Sequence, residues 1–117
     1  MQKPRREMVE VKSPEQYKFS RIGAQIEGIL ISIEPIEVNG KPTKEYMFRL
    51  ENGERYTCLD TADLTKKIEP EMLGHFLTVR YESDDASFQK AGQSAMKRFK
   101  VTASKIPEPG YEHLKAS

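Results

Sequence analysis

The chain has 117 residues, 19 Lys and Arg against 18 Asp and Glu, a formal charge of +1 and 37% apolar residues. That supplies one hydrophobic core and not two, and the near balance of charge means that any nucleic-acid binding has to come from a local basic surface. With 32% charged residues and a mean hydropathy of −0.69 the chain is polar, yet its acidic and basic residues alternate instead of forming blocks, which argues against a wholly disordered polymer.

The longest uncharged apolar stretch, residues 28–33, is far short of the ~20 residues a membrane helix needs, and the basic opening with Lys3, Arg5 and Arg6 is not followed by an apolar signal core. The expectation is a protein kept in the cytosol. A single cysteine, Cys58, excludes an intramolecular disulfide and, with two distant histidines, any zinc cluster of recognised spacing.

Residues 1–18 carry Pro4, Pro14 and several cations with few large apolar groups, so they read as a flexible arm that Tyr17 and Phe19 dock where the domain begins. The domain proper is expected over residues 19–106. Its first strand, residues 22–38, changes the phase of its apolar alternation at Gly28, which predicts a β-bulge there. Asn39-Gly40-Lys41-Pro42 follows as a loop. Residues 46–51 and 54–60 flank Asn52-Gly53, the strongest short hairpin signal. A two-residue corner there would set Leu50 opposite Arg55, Arg49 opposite Tyr56, Phe48 opposite Thr57, Met47 opposite Cys58 and Tyr46 opposite Leu59. Tyr46, Phe48, Leu50, Thr57 and Leu59 would then face the core, and Met47, Arg49, Tyr56 and Cys58 would look outward.

Thr61 is placed to cap a short helix with Leu64 and Ile68 inward and Lys66 and Lys67 in solvent, which Pro70 ends or restarts. A strand over residues 75–82 points Leu77, Val79 and Tyr81 inward and Phe76, Thr78 and Arg80 outward. Residues 83–95 read as a long polar loop. A last strand, residues 96–103, puts Phe99, Val101 and Ala103 on one face and Arg98, Lys100 and Thr102 on the other. Residues 107–117, with Pro107, Pro109 and Gly110, read as a flexible tail.

Five strands with one short helix between the third and fourth make an all-β chain whose order resembles the OB-fold, a five-stranded Greek-key barrel. The resemblance covers residues 21–105 and is architectural: element order, the Asn52-Gly53 hairpin, Gly28 in the first strand and the lead from Pro70 to Gly74. Within that fold the single-stranded-DNA-binding proteins of the small bacterial and phage type are the nearest functional group. What the resemblance implies is a binding face on the second and third strands, bordered by the loop after the first strand and the loop between the fourth and fifth. Such proteins often end in an acidic tail that recruits partners, whereas this chain ends with residues 111–117, YEHLKAS.

The residue chemistry agrees with that implication. Single strands are held by flat π surfaces that stack on bases and cations that follow the phosphates. Arg49 and Tyr56 on the outward hairpin face, with Met47 beside them, Lys41 and Lys44 in the neighbouring loop, Phe88 and Lys90 in the long loop, and Arg80, Arg98 and Lys100 around the groove are the candidate nucleic-acid-binding residues. An Arg facing a Tyr is also an ordinary cross-strand pair, and Phe88 is equally suited to plug a barrel end. Asp60 with Asp63, and Asp84 with Asp85, lack the spacing of a calcium site, so no metal or other cofactor is expected. Without a nucleophile–base pair or a Gly-rich phosphate loop, the chain reads as non-catalytic. Its expected partner is single-stranded DNA, or RNA. The alternative is a protein-interaction or assembly module on the same barrel.

Overall fold

A short strand β1, Glu15–Gln16, is the first described element, and the long β2, Gln25–Val38, forms the spine of the sheet. The computed structural model describes residues 13–86 and 95–114. After β2 come β3, Lys41–Arg49, β4, Arg55–Leu59, helix α1, Ala62–Lys67, a 3-10 turn, Pro70–Met72, then β5, Phe76–Asp85, and β6, Met96–Ala103. They form one six-stranded mixed sheet in the order β1-β4-β3-β2-β5-β6, antiparallel throughout except for the parallel pair β1 and β4.

Strand β2 serves two neighbours in turn. Gln25 to Ile29 pair with β5, Ile29 to Val38 pair with β3, and only Ile29 has partners on both sides. The register shifts between Leu30 and Ser32, so the extra residue is Ile31 and not Gly28. Gly28 answers a different need: a Cβ there would stand 2.7 Å from the Arg49 carbonyl oxygen, so the bent β2 can lie against β3 only with a hydrogen at that position.

The two Asn-Gly pairs make different turns. Asn39 and Gly40 both take positive φ, 51° and 76°, and Val38 faces Lys41 directly. This is the two-residue hairpin corner, and Lys41 and Pro42, expected in a loop, belong to β3. At the second pair only Gly53 has positive φ, 85°. Gly53 N–H bonds to the Leu50 carbonyl at 2.9 Å, Leu50 N–H to the Glu54 carbonyl at 2.8 Å, and the Asn52 carboxamide oxygen accepts from Glu54 N–H at 2.9 Å. Glu51, Asn52 and Gly53 therefore form a three-residue loop with its glycine as a bulge.

That added residue moves the whole register of β4 by one. Arg49 faces Arg55, Phe48 faces Tyr56, Met47 faces Thr57, Tyr46 faces Cys58 and Glu45 faces Leu59. Because side chains alternate between faces, Tyr56 and Cys58 turn inward with Tyr46 and Phe48, while Arg55 takes the outward place expected for Tyr56. Cys58 is 1% exposed and burial pushes its thiol up to about 12. Tyr46 donates to Asp60 at 2.6 Å, and burial followed by that carboxylate raises its phenol well above the ordinary value.

The core lies on the inner side of the bent sheet: Ile26, Leu30, Tyr46, Phe48, Cys58, Leu64, Ile68, Leu77, Val79, Tyr81 and Phe99. Each large apolar side chain buried this way contributes roughly 1.5–3 kcal/mol. Phe19 joins it edge-on to Phe99 with ring centres 4.9 Å apart, and Tyr81 lies 5.6 Å from Phe99.

A closed five-stranded barrel is not what the pairing gives. The sheet ends at β1 and β6, and β4 and β6 are not paired among the described residues. Helix α1 packs on β6 at this opening. Thr61 caps it, its hydroxyl accepting from Leu64 N–H at 3.1 Å, and Leu64 and Ile68 face inward as the spacing required. Asp63, 1% exposed, accepts the Phe99 N–H at 2.8 Å, and Lys67 donates to the Phe99 carbonyl as well as to Asp63. Two side chains one helical turn apart thus satisfy the N–H and the carbonyl of Phe99 on β6 where a neighbouring strand would have done so. Lys67, expected in solvent, is part of this seal.

The described end of the arm, residues 13–18, lies along β4: Glu15 and Gln16 pair with Tyr56 and Thr57, and Tyr17 N–H bonds to the Thr57 carbonyl at 2.7 Å. Glu108 N–H bonds to the Gly74 carbonyl at 2.9 Å, drawing residues 105–111 back to the start of β5.

Candidate nucleic-acid interface

Register decides which side chains share the outer face. From Ile29 the row runs to Phe76 on β5 in one direction and through Arg49 on β3 to Arg55 on β4 in the other. Alternation adds two parallel rows: Glu27 with Thr78 and Thr102, and Gln25 with Arg80 and Lys100. Their chain neighbours Ile26, Leu77, Val79 and Phe99 are buried, which confirms that these residues point away from the core.

Tyr111 completes the first row. The exposed Arg49 donates from Nη1 to the Tyr111 hydroxyl at 2.8 Å, and the returning tail forms one wall of a groove of about 310 Å³. Ile29, Phe76 and Tyr111 give it apolar and aromatic sides, Arg49 a guanidinium, and Glu51 and Glu108 line its rim. Its apolar and aromatic sides can hold a planar ring and its guanidinium can meet an anionic substituent, the chemistry of a nucleotide, while the Glu51 and Glu108 carboxylates oppose that anion.

The sequence-derived candidates are distributed as follows. Arg49 and Met47 are on the outer face as expected, but Tyr56 is not beside them. Tyr56 packs on the core side, its hydroxyl lies 3.4 Å from Glu54, and Glu15 and then Glu54 raise its phenol above the ordinary value. Lys41 stands exposed at the tip of the β2–β3 hairpin, and Lys44 turns to Asp60 at 3.8 Å. Arg80 and Lys100 face each other on the outer side, with Arg80 Nε 3.9 Å from Glu82. Arg98 donates to Asp63 and to Asp85, each at 2.9 Å, and those carboxylates raise its basicity further. Phe88 and Lys90 lie outside the described residues.

Three residues of the groove, Ile29, Phe76 and Tyr111, were missed by sequence reasoning. Phe76 reads as outward on its alternating strand; Ile29 does not, because a change of phase at Gly28 would group it with the apolar Ile31 and Ile33, and Tyr111 arrives from 62 positions away in the chain. Among the described residues no three His, Cys, Asp or Glu side chains gather as a metal site, and no helix is long and apolar enough to cross a membrane. No family model matches this sequence, and neither the curated proteins nor the solved structures contain a match to it.

Proposed function

We propose that this chain is a non-catalytic single-stranded nucleic-acid-binding protein of OB type, with DNA as the favoured ligand. The observation that carries the reading is the outer row Phe76–Ile29–Arg49 with Tyr111 hydrogen-bonded to Arg49. It joins aromatic walls to an exposed guanidinium, the pairing that grips unstacked bases and their phosphates. Support for the OB type comes from the strand order β4-β3-β2-β5-β6, with α1 between β4 and β5 and a long bent β2 shared by two neighbours.

Fluorescence anisotropy with an unstructured labelled oligonucleotide at low salt tests it. Saturable binding that weakens as salt rises is expected, because phosphate contacts release counterions. Tyr111→Ala should weaken binding by ~1–3 kcal/mol and Arg49→Ala should lower the salt slope by about one, with Lys66→Ala on the exposed side of α1 as the unaffected control. Absence of binding at micromolar protein would remove the proposal. The rival reading, an assembly module, draws on the β2–β3 hairpin beyond Ile33 and Tyr46, where the exposed Val38 has no core beneath it. It requires a partner that stays bound after nuclease treatment.

A further inference from the structure

We infer that a single strand bound to this protein runs lengthwise along β2 and β5, gripped at two stations, Arg49 at one end and the facing pair Arg80 and Lys100 at the other. This rests on the nucleic-acid reading above and adds the path and length of the site. The two stations lie in rows four residues apart on the same strands, Ile29 to Gln25 on β2 and Phe76 to Arg80 on β5, all on the outer face. At the rise of an antiparallel strand this separates them by about 13 Å. An extended single strand covers that distance with roughly two to three nucleotides, so both stations together call for a ligand of about four, at the short end of OB-fold site sizes.

Charge selects this path over the one across β3 and β4. There Lys44 is already engaged by Asp60. The projecting hairpin adds Glu34, Glu37 and Glu45. On β5 and β6, by contrast, Arg80 has only a loose contact with the exposed Glu82, and Lys100 has no ion pair among the described residues. A shallow depression lined by Gln25, Thr78, Arg80, Glu82, Lys100 and Thr102 connects them, the Glu82 carboxylate being its one acidic group. The middle row contributes the hydroxyls of Thr78 and Thr102 and one opposing group, the exposed Glu27 carboxylate, which accepts from the Gln25 amide. A phosphate chain laid along this path passes Glu27 at close range.

That opposing carboxylate makes the path testable in both directions. Labelled oligothymidines of about two, four and eight nucleotides bracket the proposed site. With the wild-type protein, affinity should rise steeply from the shortest to the middle length and little beyond it. The Arg80→Ala, Lys100→Ala double variant, altered only at exposed positions, should lose about tenfold on the longer ligands, with a salt slope lower by about one to two. Glu27→Gln should tighten the longer ligands about twofold to threefold, a gain that no loss of folding can imitate. If the double variant binds the long ligands as wild type does, or Glu27→Gln leaves them unchanged, the path is wrong while the Arg49 groove stands. If wild type binds none of them, the underlying reading falls first.

Discussion

Replacing Asp63 by Ala tests the seal between α1 and β6. In the wild type this carboxylate, 1% exposed, receives the Phe99 N–H at 2.8 Å, Lys67 Nζ at 2.8 Å and Arg98 Nη1 at 2.9 Å. Burial alone would raise its pKa, but Lys67, the Phe99 amide and Arg98 outweigh burial and hold it below the usual carboxylate range. Its removal leaves a strand-edge amide without a partner, costing about 1–3 kcal/mol, and strips two cations of their common counter-charge. Breaking a fully buried pair costs about 3–5 kcal/mol, and the partial exposure of Lys67 and Arg98, 39% and 28%, reduces that share. We expect a total of about 2–4 kcal/mol, or a fall in Tm of roughly 8–15 °C for a domain of this size. The pH dependence has a definite sign. A carboxylate whose pKa is lower in the folded state contributes stability above its unfolded value of ~3.9, and loses it as pH falls through the lower folded value. Urea unfolding followed by circular dichroism at neutral pH and at successive steps down through the carboxylate range should therefore give a wild-type stability that declines with acid and an Asp63→Ala stability that starts lower and declines less. A variant within about 0.5 kcal/mol of wild type at neutral pH, or one with the same acid decline, would refute the reasoning.

Gly28→Ala should destabilise by about 1–3 kcal/mol in the same assay, since its methyl group meets the backbone oxygen of Arg49 at 2.7 Å and β3 has to move. It should also weaken oligonucleotide binding by displacing Arg49, and a neutral result in both measurements would contradict the close approach. Cys58, 1% exposed and with its thiol pushed up to about 12, should react with a thiol reagent at mildly alkaline pH only as fast as the domain opens, and immediately in denaturant. Fast labelling of the native protein would mean that Cys58 faces outward after all.

Local order was legible wherever one residue type has one physical reading. Thr61 caps α1 through a bond to a residue three positions on, and Leu77, Val79, Tyr81 and Phe99 are inward because their strands alternate strictly. The turn at Glu51-Asn52-Gly53 was misread because the same dipeptide supports two loop lengths. What separates them is the Asn52 side chain bonding to Glu54 N–H, and the faces differ as well: the observed register gathers Tyr46, Phe48, Tyr56 and Cys58 on one side, a more apolar set than one containing Thr57. One added residue exchanged Tyr56 for Arg55 on the outer face, and with it the centre of the candidate site moved from the hairpin to Ile29 and Phe76. The ion pairs of Arg98 with Asp63 and Asp85, and the meeting of Arg49 with Tyr111, join residues far apart in sequence, and no local pattern announces them.

The Phe99 peptide group has a further consequence for how copies of this chain behave in a crowded solution. A terminal strand with idle donors and acceptors is a template on which another molecule's strand can add, the first step toward fibrils or runaway association. Here both hydrogen-bonding positions of that residue are occupied from within the same molecule, by Asp63 and Lys67. The helix thus acts as a stopper against self-templating growth, and a variant that loosens it would betray itself by precipitating before it unfolds.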